Sequence, residues 1–306
     1  MSFVYCRIYA YKINLGDEVR LQLKKKMNFD YAHIPEHLNA VVFSIGTVEI
    51  HWYGLMYVAA FFVTYLLALY RIKTEKFTYT KEIIADFMLW AIAGVLIGGR
   101  LGYILLYNLR YFLSNPLNII LPFSLSDGFH YTGIYGMSYH GGVLGVLSAC
   151  FLFCRRHKIN FWRLVDFFIP IIPLGYTFGR LGNFLNGELY GRVTTVPWGM
   201  YFPLDPAHQL RHPSQIYEAL FEGILLFVFL WNVRKKLWPS RCFLSLYLIG
   251  YGLIRFFLEF FREPDQQLGF ILGPFTMGQV LCFMMILLGV ILFKIRISKA
   301  DNEMIH

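Results

Sequence analysis

Apolar residues fill this chain in long continuous runs, and short segments between the runs carry most of the charge. A helix needs about 20 such residues to cross the hydrocarbon core of a bilayer. Seven runs approach this length, at residues 51–70, 83–107, 139–154, 164–181, 213–233, 242–261 and 274–293. The pattern therefore predicts an all-α polytopic membrane protein with about seven transmembrane helices, the third being the shortest.

Basic residues are distributed unevenly among the segments between these runs. Segments 71–82, 155–163 and 234–241, together with the C-terminal tail, hold fifteen Lys and Arg, whereas the three intervening segments hold four. Cytoplasmic loops are enriched in Lys and Arg. This asymmetry predicts a cytoplasmic C-terminus and, with seven spans, an N-terminus outside.

The first 26 residues do not fit this topology. They carry six basic residues, which argue against an external N-terminus, and they lack the apolar core and cleavage site of a signal peptide. Met27 follows three lysines directly. We expect residues 1–26 to be an N-terminal extension or a mis-assigned start, with 27–306 forming a single transmembrane domain.

Composition agrees with a membrane location and narrows the choice of ligands. The chain is 57% hydrophobic and only 15% charged, with a mean hydropathy of +0.50, whereas soluble proteins are roughly 25% charged. Its net charge of +9 is dispersed in short clusters, unlike a phosphate-tracking stripe, so no nucleic-acid partner is expected. The five cysteines lack metal-site spacing, and no nucleotide-binding loop, zinc motif or serine-nucleophile motif is present. We expect neither a metal nor a cofactor.

Three arginines lie inside the apolar runs, and they are the first candidates for a functional site. Arg100, Arg180 and Arg255 each fall within roughly 5–10 Å of the outer end of a predicted span, at 1.5 Å per residue. A charge costs at least about 2.5–3.5 kcal/mol near the bilayer centre, so a polar partner or ligand is required. Because the planar guanidinium suits phosphate, these arginines predict an anion site at headgroup depth.

The segment GRLGNFLNGELYG, residues 179–191, has the densest candidate chemistry. It places Arg180, Asn183, Asn186 and Glu188 beside glycines that end at Gly191. The alternative to a ligand site is a structural ion pair that closes the helix end.

Carboxylates on two other predicted helices lie four residues from another charged residue, and their roles have alternatives. Glu259 lies four residues after Arg255, so it either neutralises the arginine or orients it. Glu218 and Glu222 form a second pair at this spacing, which we interpret as supporting the arginines and not as catalytic.

Two residues at the outer ends of other spans are also candidates. His140 lies in YHGGVLG, where it is either a hydrogen-bonded interface residue or a base, because imidazole exchanges protons near neutral pH. Tyr53 lies at the start of the first span, where its hydroxyl could reach a headgroup.

Six ordered segments resemble those of the prolipoprotein diacylglyceryl transferases, and the similarity covers essentially all of residues 27–306. The segments are HWYGLMY (51–57), GGRLGYILLYN (98–108), YHGGVLG (139–145), GRLGNFLNGELYGR (179–192), RHPSQIYEALFEG (211–223) and GYGLIRFFLEFFREPD (250–265). Members of that family move the diacylglyceryl group of phosphatidylglycerol onto the lipobox cysteine of prolipoproteins, forming a thioether and releasing glycerol phosphate. The resemblance implies the same reaction at the bacterial inner membrane, within a single catalytic domain.

The resemblance also implies roles for the candidate residues. Arg180 and Arg255 would stabilise the phosphate as charge builds on it, and His140 would be the base that deprotonates the thiol. The arginines could instead activate the thiol by their field alone. The other residues expected to bind substrate are Tyr53, Arg100, Asn183, Asn186, Glu188, Gly191 and Glu259.

A transporter or flippase for an anionic lipid is the competing interpretation, since it too could use arginines on the outer side. Such a protein would be expected to contain a repeat spanning half the chain and polar residues in both halves of the membrane. Here the inner halves of the predicted spans contain few polar residues, which favours the enzyme over the transporter.

Overall fold

The computed structural model describes residues 30–46, 48–75, 77–119, 123–124, 130–131, 136–236, 241–263, 270–272 and 275–304. The predicted extension, residues 1–26, lies outside them. The described part is mostly helical. Its helices are α1 (Ile34–His37, after a 3-10 turn at Tyr31–His33), α2 (Trp52–Thr74), α3 (Lys81–Tyr107), α4 (Leu109–Ser114, before a 3-10 turn at Pro116–Ile119), α5 (Tyr139–His157), α6 (Phe161–Phe168), α7 (Ile172–Leu185), α8 (Ser214–Val233), α9 (Cys242–Leu258) and α10 (Met277–Met304).

Short strands form three antiparallel pairs. They are β1 (Val41–Ile45) with β2 (Val48–His51), β3 (Phe123–Ser124) with β4 (His130–Tyr131), and β5 (Phe270–Leu272) with β6 (Phe275–Thr276).

A helix lies at each of the seven predicted runs, and the protein has the fold of a polytopic helical membrane protein. Among the described residues, four helical segments are long and apolar enough to cross a membrane: α2, α3, α8 and Met277–Ile295 of α10. α6 and α7 together make a fifth if they form one bent span. α9 is a shorter apolar helix. α5 has 19 residues but is not among these four segments. The total of seven spans therefore stays a prediction.

The predicted span at 164–181 is broken into two helices, α6 and α7, which meet at an angle of 55°. The break contains Pro170, and Pro173 follows just after it, in the sequence IPIIPLG. Proline lacks a backbone N–H and its ring clashes with the carbonyl of the preceding turn, so it ends or bends a helix. Pro173 lies in the first turn of α7, where the missing N–H has no intrahelical acceptor in any case.

α3 and α5 cross at glycines, and this crossing fixes where α5 begins. A Cβ at Gly98 would lie 2.6 Å from Cα of Gly145, so the two backbones are in direct contact. The chain before α5 is held to α3 as well, since the backbone N–H of Ser138 donates to the carbonyl of Gly99 over 2.9 Å. Close approach without side chains is typical of helix pairs in membranes.

The ends of the helices define two ends of the bundle. α2, α5, α8 and α10 begin, and α3, α7 and α9 end, at what we call the site end. At the opposite end, Glu75 links two buried arginines, since its carboxylate lies 2.5 Å from Nη2 of Arg71 and 2.8 Å from Nε of Arg234. These contacts join the end of α2 to the end of α8.

Residues 186–213 form a cap over the site end. Within it, Arg211 makes two hydrogen bonds to the buried carboxylate of Asp205, of 2.8 and 2.9 Å, and an ion pair of 3.1 Å to the exposed Glu263. The hydrogen bonds from Arg211 hold the pKa of Asp205 below its usual range, with help from backbone N–H groups of Ala207 and Gln209. The cap is thus held to the segment after α9 by charged groups.

Candidate active site

Arg180 lies near the end of α7 and makes hydrogen bonds through Nε and Nη1. Its Nε donates to the Tyr176 hydroxyl over 2.7 Å and lies 2.7 Å from Oε2 of Glu218, and its Nη1 donates to Oδ1 of Asn183 over 3.2 Å. Its Nη2 makes no hydrogen bond to any residue that the structure describes. This nitrogen is therefore the donor that remains for a ligand.

Arg255 lies near the end of α9 and is surrounded by carboxylates. Its Nη2 lies 3.0 Å from Oε2 of Glu259, and its Nη1 lies 3.1 Å from Glu218 and 3.5 Å from Glu222. The predicted pairing with Glu259, one turn along the same helix, is confirmed. Two of the three carboxylates come from α8, so most of the charge that faces Arg255 belongs to another helix.

Glu218 contacts both arginines with its two carboxylate oxygens. Oε2 faces Arg180, as described, whereas Oε1 faces Arg255 at 3.1 Å and Arg262 at 3.9 Å. The residue is 2% exposed. Glu218, near the start of α8, therefore joins α7, α9 and the segment after α9.

Tyr176 and Glu222 form a second connection between the arginines. The Tyr176 hydroxyl donates to Oε2 of Glu222, and it lies 3.4 Å from Oε2 of Glu218. The ring of Tyr176 also lies under the guanidinium of Arg180, 4.7 Å from its carbon. Arg180, Tyr176, Glu222, Arg255 and Glu218 thus form a closed ring of contacts, which we call the arginine–glutamate ring.

The backbone of α8 is locally unwound where these carboxylates project. Ala219–Leu225 has π-helical geometry, which is uncommon and is often found at functional sites. Thr177 of α7 packs there, and its hydroxyl lies 3.4 Å from the carbonyl of Ala219. A side chain at Gly223 would overlap this hydroxyl, so the glycine permits the close contact between α7 and α8 that brings Glu222 to Tyr176.

The GRLGNFLNGELYG segment bends back on itself after α7, as its glycines suggest. Asn183 donates to Oε1 of Glu188 over 2.9 Å, and the backbone N–H of Glu188 donates to the Asn183 carbonyl over 3.0 Å. Gln215 of α8 donates to the Glu188 carbonyl over 2.7 Å. The turn has left-handed backbone at Gly187 (φ 69°) and at Leu189 (φ 58°), the latter unusual for a residue with a side chain. These bonds therefore fix the carboxylate of Glu188 against Asn183, which in turn accepts a hydrogen bond from Arg180.

Asn186 and Gly191, two further predicted substrate-binding residues, differ in surroundings. Oδ1 of Asn186 is buried and makes no hydrogen bond within the described residues, so this acceptor is open to a donor from a ligand. Gly191 packs against backbone, since a side chain there would overlap the carbonyl of Phe261 and lie 2.8 Å from Cβ of His212. Close packing of the cap accounts for this glycine.

Tyr53 lies at the start of α2 and packs against α7, the helix that carries Arg180. A Cβ at Gly182 of α7 would be 3.1 Å from the Tyr53 ring, and the Tyr53 hydroxyl is 3.0 Å from that of Tyr57. Tyr139 begins α5, which also starts at the site end.

His140 and Arg100 are not joined to the ring by any contact among the described residues. His140, the neighbour of Tyr139, is exposed, and its imidazole meets the Tyr139 ring edge-on at 5.8 Å. Arg100 donates to the carbonyls of Asn118 and Ile119 and stacks on Phe112. It therefore fastens the segment after α3, and its role in an anion site stays a prediction.

Glu259 is held from both sides. Besides its pair with Arg255, it accepts a hydrogen bond of 3.0 Å from the hydroxyl of Thr276, just before α10. Thr276 and Gln279 cap the start of α10 reciprocally, with bonds of 3.1 and 3.3 Å between side chains and backbone N–H groups. Glu259 thus connects Arg255 to the start of α10. This arrangement is compatible with both predicted roles of Glu259, which are to neutralise Arg255 and to orient it.

The ring and its neighbours are close to charge balance when all carboxylates are ionised. Positive charge on Arg180, Arg255 and Arg262 faces negative charge on three glutamates, which are Glu218, Glu222 and Glu259. Burial of paired charges in this way is costly unless the geometry is good. In the described part of the chain, no group of three or more His, Cys, Asp or Glu residues could hold a metal ion.

Sequence reasoning did not identify Tyr176, whereas the predicted support of the arginines by Glu218 and Glu222 agrees with their ion pairs. Tyr176 is four residues before Arg180 on the same helix, so helical spacing could have indicated the contact. Glu218 and Glu222 are ionisable residues within an apolar run, a signal that by itself indicates function. The missing information was that α8 packs against both α7 and α9.

The fold and the site together define a polytopic helical membrane protein with a buried, charge-paired arginine cluster at one end of its helices. Residues 40–295 match the family model described as prolipoprotein diacylglyceryl transferase. The chain belongs to this family. The resemblance inferred from the six segments is thereby confirmed.

Relatives in several bacteria show how far the similarity extends. The phosphatidylglycerol–prolipoprotein diacylglyceryl transferase of Chlorobaculum tepidum is 55% identical over 275 residues, covering 89% of this chain and 94% of the relative. Proteins of the same name from Coxiella burnetii (strain RSA 331) and Acinetobacter baylyi are 46% and 45% identical, each covering 83% of this chain, and 93% and 90% of their own lengths.

Proposed function

We propose that this protein transfers the diacylglyceryl group of phosphatidylglycerol to the lipobox cysteine of prolipoproteins. The relatives' names specify the lipid donor and the prolipoprotein acceptor, and the chain spans nearly their whole length. One observation supports a site at the two arginines: Glu218 pairs with both Arg180 and Arg255, and Nη2 of Arg180 is still available as a donor.

In the reaction, the cysteine sulfur attacks the glycerol carbon that bears the phosphate ester. A carbon–sulfur bond forms, the carbon–oxygen bond breaks, and glycerol phosphate leaves with the electron pair. Arg180 and Arg255 stabilise the negative charge that the leaving phosphate gains, because donors that are fixed before the reaction need no reorganisation. His140 accepts the thiol proton, since only the thiolate is strongly nucleophilic.

The remaining candidates bind the headgroup. Tyr53, Asn183 and Glu188 orient the headgroup glycerol, with Asn186 offering its open carbonyl oxygen to a hydroxyl. Glu259 holds Arg255, and Gly191 lets the cap close over the site. Arg100 acts at the edge of the site through the segment that it fastens.

We place the enzyme in the bacterial inner membrane with seven spans, an external N-terminus and a cytoplasmic C-terminus. The excess of basic residues in alternate connections supports this orientation. The site end then lies at the outer leaflet, where both the lipid headgroup and the cysteine of an exported prolipoprotein are accessible.

The test is to incubate the purified protein with phosphatidylglycerol and a lipobox peptide, and to measure the peptide mass. Gain of a diacylglyceryl group on the cysteine is expected, and a peptide with serine at that position should remain unmodified. A transporter would move lipid between leaflets and leave the peptide mass unchanged, so an unmodified cysteine would overturn the proposal.

A further inference from the structure

Glu218 is the residue that touches both arginines of the ring directly. Within the described residues, Glu222 and Glu259 form ion pairs with Arg255 but none with Arg180. Glu218 uses Oε2 for Arg180 at 2.7 Å and Oε1 for Arg255 at 3.1 Å. The spacing of the two guanidinium groups is therefore set by the width of one carboxylate.

This carboxylate has little freedom to move. Its side chain is 3% exposed, and it lies near the start of α8, which packs on both α7 and α9. Ser214 and Gln215, the first two residues of α8, donate to the carbonyls of Leu189 and Glu188 over 3.0 and 2.7 Å. The start of α8 is thus tied to the cap segment as well as to the two arginine helices.

We propose that Glu218 is a positioning residue, which holds Arg180 and Arg255 at the separation needed to contact one phosphate together. This inference rests on the proposed function, because it assigns the ligand of the arginines. Glu218 does not touch the lipid or the thiol. It acts through the two guanidinium groups, and the fixed geometry matters because a displacement of about 1 Å can cost about 100-fold in rate.

Turnover and lipid binding separate a positioning role of Glu218 from a purely electrostatic one. Glu218→Gln removes one negative charge and leaves the neighbouring charges in excess by one positive charge. An anionic lipid should then bind as well as before or better, so its KM should stay or fall. Turnover should nevertheless drop, since the amide cannot bridge two arginines through two accepting oxygens.

The experiment compares Glu218→Gln and Glu218→Asp with Glu75→Gln as the matched control. Glu75 also joins two buried arginines from two helices, Arg71 and Arg234, but at the opposite end of the bundle. The measurements are kcat and KM for phosphatidylglycerol in mixed micelles with a saturating lipobox peptide, and the melting temperature of each variant. Asp keeps the charge but is one methylene shorter, so it cannot reach both arginines.

Both Glu218 variants should lose about 10- to 100-fold in kcat with KM unchanged or lower, whereas Glu75→Gln should lower only the melting temperature. Wild-type kcat in Glu218→Gln, full activity in Glu218→Asp, or a loss carried by KM would overturn the positioning role. Equal loss of kcat in Glu75→Gln would also overturn it, since the effect would then be general destabilisation. Arg180→Ala, measured in parallel, tests the arginine clamp separately: wild-type turnover there would refute the clamp itself.

Discussion

The Tyr176 hydroxyl accepts a hydrogen bond of 2.7 Å from Nε of Arg180, one helical turn further along α7. The same hydroxyl donates its own proton to Glu222 of α8. Tyr176 therefore links a cation and an anion on different helices, and it holds Arg180 through Nε while Nη2 stays available. A neutral side chain in this position can orient an arginine without adding charge to the ring.

Tyr176→Phe should lower both stability and turnover. The ring still packs, but Arg180 loses an acceptor and buried Glu222 loses a donor, which costs about 1–3 kcal/mol for a group left unsatisfied. We expect turnover to fall about tenfold or more, since Arg180 becomes less well oriented. Melting temperature and transfer of lipid to a lipobox peptide are the measurements.

The control for this change is Tyr79→Phe. The Tyr79 hydroxyl is buried and makes no hydrogen bond to a described residue, so its removal should leave stability and turnover nearly unchanged. Turnover of Tyr176→Phe equal to that of Tyr79→Phe would show that the hydroxyl does not orient Arg180.

The helices were predictable from the sequence, whereas the ring was only partly so. Apolar run length located the seven helical regions, because bilayer thickness and helical rise fix it, although α10 continues to Met304, beyond the predicted end at 293. The pair of Arg255 and Glu259 followed from their spacing of four residues. Contacts of Glu218 were not predictable, because they join helices that are far apart in the sequence and depend on how these helices pack.

Broken elements illustrate the same limit. The prolines at 170 and 173 indicate a break, but hydropathy alone joins the two halves into the single run 164–181. The π-helical turn of α8 has no sequence signal of its own, and Thr177 of another helix packs against it at Gly223. Glu222 of the arginine–glutamate ring lies within this turn.

Acid should weaken the cap through Asp205. The pKa of Asp205 is held below its usual range by Arg211, so this carboxylate contributes stability above its unfolded value of about 3.9 and loses it as pH falls through the folded value. Asp205→Asn should cost about 1–3 kcal/mol at pH 7, and the deficit relative to the unsubstituted protein should shrink below about pH 4. Thermal unfolding of both proteins in detergent at several pH values measures this difference in stability.

Glu263→Gln is the comparison for Asp205, because Glu263 is the other partner of Arg211 but its side chain is 44% exposed. An exposed pair contributes about 0–1 kcal/mol, so this variant should melt close to the unsubstituted protein. A pH-independent difference between Asp205→Asn and the unsubstituted protein would contradict the linkage.

Topology gives a third prediction, which decides the side on which the site opens. A reporter fused after Lys299 should report a cytoplasmic location. A reporter inserted in the 108–138 connection should report an external location. The expectation rests on the bias of fifteen basic residues against four. The reverse pattern would place the arginines at the inner leaflet, away from an exported cysteine.

His140→Asn tests the base. Asparagine keeps a polar group of similar shape but cannot take up a proton, and a general base contributes typically about 10²–10⁴-fold. We expect a loss in this range in the rate of thioether formation. The control is His208→Asn, which replaces an exposed histidine of the cap that pairs with Glu36. This variant should transfer lipid at the normal rate. Near-normal turnover of His140→Asn would leave thiol activation to the field of the arginines.

The arginine clamp is the last prediction and the one on which the mechanism depends. Lysine at position 180 would keep the positive charge but lose the planar fork, and with it the separate contacts to Tyr176, Glu218 and Asn183. Loss of one donor to a developing anion costs about 10²–10³ in rate at comparable sites. Arg180→Lys should therefore insert and fold yet lose most transfer activity, and Arg180→Ala should lose nearly all of it.

Arg71→Lys separates this effect from a general need for buried arginines. Arg71 is 1% exposed and pairs with Glu75 at the opposite end of the bundle, so its replacement should lower the melting temperature without changing turnover of the folded protein. Turnover is measured at saturating phosphatidylglycerol, so that weaker lipid binding does not imitate a slower reaction. If Arg180→Lys and Arg180→Ala both turn over like the unsubstituted protein, Arg180 serves only as the ion-pair partner of Glu218 that closes the end of α7.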